Sequence, residues 1–163
     1  MELFEEFKQF VSAFKEENIE YALCGGLAMA VYAFPRATLD IDILIEPEIL
    51  EKAKMVAKGL GFSLDTGLME FSDGAIQIYR LTKIEPGDDE PLMLDMLLLT
   101  PEIMKVWETK RILTWAEGEL PIVSPEGLIK LKSFRNSGQD QDDIKNLESL
   151  IDQPPEPEGP GMR

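Results

Sequence analysis

The sequence predicts an α/β (α+β) domain built on a mixed β-sheet. Apolar runs typical of strands alternate along the chain with runs of helical periodicity, which is the pattern of that fold class. The length of 163 residues fits one domain, and a hydrophobic content of 44% can supply its core. We therefore expect a single domain over residues 1–151. The proline- and glycine-rich residues 152–163 are expected to form a disordered tail.

The N-terminal quarter predicts helix, strand and helix in that order. Residues 2–17 have helical apolar spacing, carried by Leu3, Phe4, Phe7, Phe10, Val11 and Phe14. Residues 21–24 form a short apolar run that ends at Gly25-Gly26, which predicts a strand entering a tight turn. The apolar, alanine-rich residues 27–34 predict a short helix, and Pro35 ends it because the residue before proline avoids helical geometry.

The central part of the chain predicts three or more strands. Residues 40–45 read D-I-D-I-L-I, a strand whose first part alternates acidic and aliphatic side chains. A helix is predicted from Pro47 to about residue 60, and Gly61 stops it. Residues 61–85 contain short strand-like runs, with a hairpin turn predicted at Asp73-Gly74. Residues 91–99 predict a strongly apolar strand.

The last third predicts mainly helices. Pro101 begins a short helix near Trp107, and residues 112–123 read as a hairpin that turns at Glu117-Gly118. Ser124 is a helix cap before proline, and its helix should run to about residue 135. A final helix is predicted over residues 140–151.

Composition narrows the class of function. The net charge of −15 and the lack of a basic run disfavour a long nucleic acid as partner, because such binding depends on Lys and Arg. The absence of histidine removes most serine-hydrolase triads and His-ligated zinc sites. Cys24 stands alone and reads as a buried core residue in a reducing compartment. With no apolar run long enough to span a membrane and an acidic N-terminus, we expect a cytoplasmic protein.

Asp40 and Asp42 form the first element of a candidate site. Two carboxylates separated by one residue on a strand point to the same face, about 7 Å apart at their Cα atoms. They can converge on a hard cation such as Mg²⁺, which prefers oxygen ligands. A solvated alternating strand produces the same D-x-D pattern, so this motif alone leaves both interpretations open.

Asp95 is the second element. It is the one charged residue in the run L-M-L-D-M-L-L-L, where an unpaired charge would cost several kcal/mol. We infer that its strand lies beside the D-I-D strand and that Asp95 joins Asp40 and Asp42 at a cation. The alternatives are a carboxylate paired with Lys or Arg, or a strand end that reaches solvent.

Gly25-Gly26 is the third element. Two glycines between a strand and a helix let backbone N–H groups approach a phosphate. Taken together, the Gly-Gly turn, the short helix, the D-x-D strand and the later carboxylate resemble the nucleotidyltransferase superfamily with the DNA-polymerase-β-like palm. The segment R-A-T-L-D-I-D resembles small bacterial members, including abortive-infection-type proteins and, more distantly, lincosamide-type antibiotic nucleotidyltransferases. Lys132, Arg135, Asp140 and Asp143 resemble their C-terminal helical pattern.

The resemblance implies roles for particular residues. Asp40, Asp42 and Asp95 would bind magnesium, with two ions expected, and Asp95 would assist deprotonation of the acceptor. Gly25 and Gly26 would hold the triphosphate of an NTP. Three further residues are nucleotide-binding candidates: Arg36, Thr38 and Lys132. The alternatives are a salt bridge and a strand cap for Arg36 and Thr38, and a solvated helix face for Lys132.

The chain departs from the family pattern at the second turn residue. Many active members have serine there, where this chain has Gly26, so phosphate would be bound by backbone alone. In the C-terminal pattern, Arg135, Asp140 and Asp143 are expected to pair with one another between the last two helices in preference to a role in catalysis.

The resemblance implies transfer of an NMP group from an NTP to an acceptor hydroxyl, with release of pyrophosphate. The acidic composition favours a small molecule or a protein as acceptor. One alternative is an antitoxin-like or regulatory nucleotide-binding module that pairs with a small helical protein. Another is an α/β domain with an accidental acidic strand.

Overall fold

The computed structural model describes residues 1–32, 40–88, 90–134 and 138–152. These residues form one seven-stranded sheet and six α-helices. The strands are β1 (Ala22–Cys24), β2 (Asp40–Ile45), β3 (Leu64–Phe71), β4 (Ile76–Lys83), β5 (Leu92–Leu98), β6 (Arg111–Trp115) and β7 (Gly118–Ile122). The helices are α1 (Leu3–Glu16), α2 (Gly25–Val31), α3 (Leu50–Gly59), α4 (Met104–Glu108), α5 (Pro125–Ser133) and α6 (Gly138–Asp152).

The sheet is mixed, as the sequence predicted. Its strand order is β3-β4-β5-β2-β1-β7-β6. Strand β2 is parallel to β5 and β1 is parallel to β7, whereas the other neighbouring strands are antiparallel. The two aspartate-bearing strands, β2 and β5, are therefore direct neighbours in the middle of the sheet, which is the arrangement expected from the lone charge in β5.

One face of the sheet is covered by α1 and α3. These helices contact each other, and Glu6 of α1 forms an ion pair of 2.6 Å with Lys83 of β4. Lys54 of α3 lies over the ring of Tyr79 on the same strand. Since side chains alternate between faces along a strand, Arg80 points to the opposite face. That opposite face carries the aspartates of β2 and is partly covered by α5.

Helix α1 folds against the sheet because its apolar residues share one side. Phe7, Phe10, Val11 and Phe14 are buried, and the rings of Phe10 and Phe14 lie 4.1 Å apart at their centroids. Phe4, which the apolar spacing also placed on this side, is 50% exposed. The amphipathic pattern therefore predicted the helix correctly, but the burial that it predicted for Phe4 is wrong.

Local details confirm several predicted helix and turn signals. The Ser124 side chain accepts a hydrogen bond of 3.1 Å from the backbone N–H of Gly127, which caps α5. The β3–β4 hairpin turns through a short 3-10 segment, Ser72–Gly74, which includes the predicted Asp73-Gly74 pair. Helix α2 begins at Gly25, two residues earlier than predicted, because the positive φ of +68° at Gly25 turns the chain directly from strand to helix.

Asp152, the first residue of the predicted tail, is the last residue of α6, and residues 153–163 lie outside the described residues. Helix α2 ends at Val31, before the predicted end next to Pro35, and Pro35 itself lies outside the described residues. No helix in the described residues is long and apolar enough to cross a membrane.

Candidate functional site

Four residues lie in register across the middle of the sheet and form what we call the cross-strand row. Cys24 on β1 is opposite Asp42 on β2, Asp42 is opposite Asp95 on β5, and Asp95 is opposite Arg80 on β4. Neighbouring strands are about 4.8 Å apart, so the row spans about 14 Å. Asp40 lies two residues before Asp42 on the same face of β2. The sequence-predicted carboxylates are therefore side by side.

Gly25 follows Cys24 at the β1 end of the row and packs directly against Asp42. A Cβ atom at this position would lie 2.2 Å from Oδ2 of Asp42 and 2.7 Å from its Cβ and Cγ atoms. Only glycine allows so close an approach, and its φ of +68° also favours glycine. The first backbone N–H groups of α2 have no acceptor within the helix, and Cys24 provides no side-chain cap. The turn therefore presents backbone donors beside the Asp42 carboxylate.

Arg80 occupies the other end of the row. Its Nε atom donates to Oδ1 of Asp95 at 2.7 Å, and its terminal nitrogen donates to Oδ2 at 2.9 Å. Asp95 is only 7% exposed, so this two-pronged pair compensates much of the cost of burying its charge. The Asp95 hydrogen bonds raise the pKa of the Arg80 guanidinium. Of the interpretations left open for Asp95, pairing with an arginine is observed, and so is the position beside the D-I-D strand.

Burial and neighbouring charges shift the pKa values of Asp40 and Cys24. Burial raises the pKa of Asp40, the neighbouring charge of Asp95 raises it further, and Arg80 opposes both effects. Burial also raises the pKa of the Cys24 thiol, with Asp42 adding to the rise and Lys132 opposing it. Burial and the neighbouring carboxylates thus act in the same direction and disfavour the charged forms of Asp40 and Cys24.

The donor chemistry of the site fits magnesium. Within the described parts of the chain, no group of three or more Cys, Asp or Glu side chains is arranged to hold a metal ion as it stands. However, three carboxylates line the same cavity, and hard oxygen donors of this kind are the ligands that Mg²⁺ takes. Each Asp95 oxygen that accepts from Arg80 retains a second lone pair. The residues present therefore suit the ion, with Arg80 as a competitor for Asp95.

The row lines a cavity of about 690 Å³. One half is polar and contains the Gly25-Gly26 turn, the carboxylates, Arg80 and Lys132. The other half, which we call the apolar half, is lined by Phe71, Ile76, Ile78, Leu97, Leu131 and Phe134, together with the hydroxyl of Ser72. A volume between about 300 and 1,000 Å³ is typical of sites for small molecules.

Lys132 lines the cavity from α5 but is not on a solvated helix face. It is 4% exposed, and its Nζ atom lies 2.9 Å from Asp143 and 4.0 Å from Asp140 of α6. The alternative of a solvated face is therefore wrong, because α6 packs over this side of α5. The predicted pairing between the last two helices involves Lys132 itself. A contact of Lys132 with phosphate stays a prediction.

Three residues named from the sequence lie outside the described residues. These are Arg36, Thr38 and Arg135. Conversely, the sequence reasoning missed Arg80, which sits in the run I-Q-I-Y-R among ordinary strand residues. It also missed the cavity-facing position of Cys24 and the apolar half. Only the strand order and register reveal these neighbours.

Comparison with known proteins supports the fold. No protein-family model matches the sequence, and no curated protein matches it. Among solved structures, the lincosamide antibiotic adenylyltransferase LnuA, bound to lincomycin, is 19% identical, with 90% of this chain and 96% of that chain covered and a TM-score of 0.58.

Two further solved structures match this chain over a similar share of their length. ANT(2″)-Ia in complex with adenylyl-2″-tobramycin is 17% identical, with 89% of this chain and 87% of that chain covered and a TM-score of 0.57. A Thermotoga maritima protein described as a nucleotidyltransferase is 14% identical, with 93% of this chain and 94% of that chain covered and a TM-score of 0.57. At such identities the likeness concerns the fold, and this chain has the nucleotidyltransferase fold.

Proposed function

We propose that this chain is a magnesium-dependent nucleotidyltransferase that moves an NMP group from an NTP to an acceptor hydroxyl and releases pyrophosphate. The observation that carries the proposal is the register of Asp42 with Asp95, beside a glycine turn whose Cβ position is filled by Asp42. Adenylyl transfer to small molecules by proteins of this fold, as in the adenylyl-2″-tobramycin complex, supports the same reaction type.

The charges around the cavity support a requirement for divalent cations. Asp40, Asp42 and Asp95 contribute three carboxylates to the cavity, and its two described cations, Arg80 and Lys132, form ion pairs with Asp95 and Asp143. A triphosphate would bring several further negative charges to these carboxylates. Bound Mg²⁺ would supply the positive charge that lets phosphate oxygens approach the carboxylates and that stabilises the leaving oxygen.

The chain's own residues would bind and orient the reactants. The backbone at Gly25 and Gly26 would hold the phosphates that become pyrophosphate, and Asp95 would receive the proton of the acceptor hydroxyl. A bond forms between the acceptor oxygen and the α-phosphorus, and the bond from that phosphorus to the pyrophosphate oxygen breaks. Catalysis would come mainly from positioning and charge neutralisation.

Isothermal titration calorimetry tests the first half of the proposal. We would titrate each of the four NTPs, as non-hydrolysable analogues, into the wild type with and without Mg²⁺, and repeat the titration with Asp42→Asn. Asp142→Asn is the matched control, because Asp142 is exposed on α6 and the substitution removes the same charge. We expect magnesium-dependent binding in the wild type and in the control and its loss in Asp42→Asn. Absence of binding by every NTP would contradict the proposal.

Transfer is tested separately with NTPs labelled at the α-phosphate and incubated with cell extract. The enzyme should place label on an acceptor that Asp42→Asn leaves unlabelled. NTP binding without any transfer would instead favour the antitoxin-like or regulatory module.

A further inference from the structure

The apolar half of the cavity begins immediately beside the Asp95–Arg80 ion pair. On β5, Leu97 follows Asp95 by two residues and therefore points to the same face. On β4, Ile78 and Ile76 precede Arg80 at the same spacing, and Ile78 is in register with Leu97. The floor of the apolar half is thus continuous with the cross-strand row, and the Cα atom of Leu97 lies about 7 Å from that of Asp95.

A hydrogen bond between the β3–β4 turn and α5 lies at the edge of the apolar half. Ser72 and Asp73 adopt positive φ values of 52° and 56°, which cost about 1–2 kcal/mol each for residues other than glycine. This turn places Phe71 at the cavity and lets the Ser72 hydroxyl donate to the backbone carbonyl of Phe134 at 3.5 Å. Strain of this kind persists where the surrounding structure requires it, and here it brings two aromatic residues to one compartment.

The apolar half lies on the acceptor side of the site. In an in-line displacement the attacking oxygen and the leaving oxygen are on opposite sides of the phosphorus. The glycine turn lies at the β1 end of the cross-strand row, and Asp95 with β4 lies at the other end. If the turn holds the leaving phosphates, the acceptor approaches from β5 and β4, where the apolar floor is. This step rests on the proposed function.

We propose that the apolar half binds the acceptor, and that the acceptor is a small molecule whose hydroxyl is carried on an uncharged apolar or aromatic body. Among the described residues of the cavity, every charged side chain lies in the polar half, and the apolar half adds one hydroxyl, that of Ser72. Among the described residues of the apolar half, a cationic acceptor would find no carboxylate to pair with, and a nucleic acid would find no cation. Aromatic rings at the walls suit a flat or bulky apolar group.

A series of phenyl-substituted alcohols tests the proposal, with ligand-observed NMR as the measurement. Benzyl alcohol, 2-phenylethanol and 3-phenylpropanol would be titrated into the protein with Mg²⁺ and a non-hydrolysable NTP, alongside glucosamine and the dinucleotide UpU. Affinity should rise up to about fourfold for each added methylene that is buried, corresponding to about 0.8 kcal/mol. Glucosamine and UpU should bind more weakly than any of the alcohols.

Two substitutions and a matched control assign the binding to this compartment. Phe71→Ser and Phe134→Ser should each reduce the gain in affinity that an added methylene of the alcohol gives. Phe4→Ser is the control, since Phe4 and Phe71 are both 50% exposed but Phe4 belongs to α1 on the covered side of the sheet. Equal behaviour of all three variants, or tighter binding of glucosamine or UpU than of the alcohols, would overturn the assignment.

The two proposals fail in different ways. If no NTP analogue binds, the proposed function itself falls, and an acceptor in the apolar half falls with it. If an NTP analogue binds and the alcohol affinities do not depend on chain length, only the acceptor assignment is overturned.

Discussion

Gly25→Ala is the substitution whose effect follows most directly from the geometry. The new Cβ would lie 2.2 Å from Asp42 Oδ2, where ordinary van der Waals contact begins near 3.4 Å. The carboxylate would therefore have to move by about 1 Å or more. A change of rotamer is not enough, because the Cβ atom of Asp42 is itself only 2.7 Å away. Either the turn rotates or β1 and β2 separate.

The loss of unfolding free energy expected for Gly25→Ala has two parts. Alanine at a φ of +68° costs about 1–2 kcal/mol, and overpacking against Asp42 costs about 1–3 kcal/mol more. The unfolding free energy should thus fall by about 2–5 kcal/mol. A misplacement of about 1 Å in a group that orients reactants costs about 10²-fold in rate, so transfer should fall by at least that factor.

Urea denaturation and nucleotide calorimetry on two variants separate these parts. Gly87→Ala is the control, because Gly87 has a φ of +81° and a Cβ there would meet no atom within 4 Å. It should lose only the conformational part, about 1–2 kcal/mol, and keep NTP binding. If Gly25→Ala is no less stable than Gly87→Ala and binds NTPs as the wild type does, then Asp42 does not pack on the turn and the reasoning fails.

Three further predictions concern charged side chains and their partners. Arg80→Gln removes both hydrogen bonds to the buried Asp95 carboxylate. It should lower the unfolding free energy, measured in urea, by about 1–3 kcal/mol, a moderate loss because the guanidinium is partly exposed. Arg80→Lys keeps the positive charge without the two-bond geometry, so it should be more stable than Arg80→Gln but less stable than the wild type. Lys132→Met removes the cation that lies 2.9 Å from the buried Asp143 carboxylate and should lower the unfolding free energy by about 3–5 kcal/mol. The hydrogen bond from Tyr79 lowers the pKa of Asp65 below 3.8, and a hydrogen bond from Lys58 lowers it further. Because the folded state therefore favours the charged carboxylate, Asp65→Asn should lower the melting temperature at pH 7. That difference should disappear as the pH falls below the folded-state pKa, because the carboxyl is then neutral in both states.

Local patterns sufficed for most of the fold. The apolar spacing of α1, the Ser124 cap of α5 and the alternation in β2 each depend on interactions within a few residues, so they are visible in the sequence. Lone Asp95 in an apolar run also predicted the adjacency of β5 and β2, because we inferred that it shares a cation with Asp40 and Asp42. The environment of Lys132 could not be predicted this way, because its partner Asp143 belongs to a different helix whose packing angle no local pattern encodes.

The same contrast explains why Asp95 was found and Arg80 was not. A carboxylate in an otherwise apolar run violates the expected composition of a buried strand, so its strand sequence alone singles it out. Arg80 violates nothing in β4, where polar and charged side chains alternate with apolar ones on a half-exposed strand. Its importance comes only from standing opposite Asp95 in the register of β4 and β5. The identity of the cation that pairs with Asp95 is thus set by strand order, whereas the need for such a cation is set by the sequence. The measured loss on Arg80→Gln, compared with Arg80→Lys, will show how much of that need the guanidinium geometry meets.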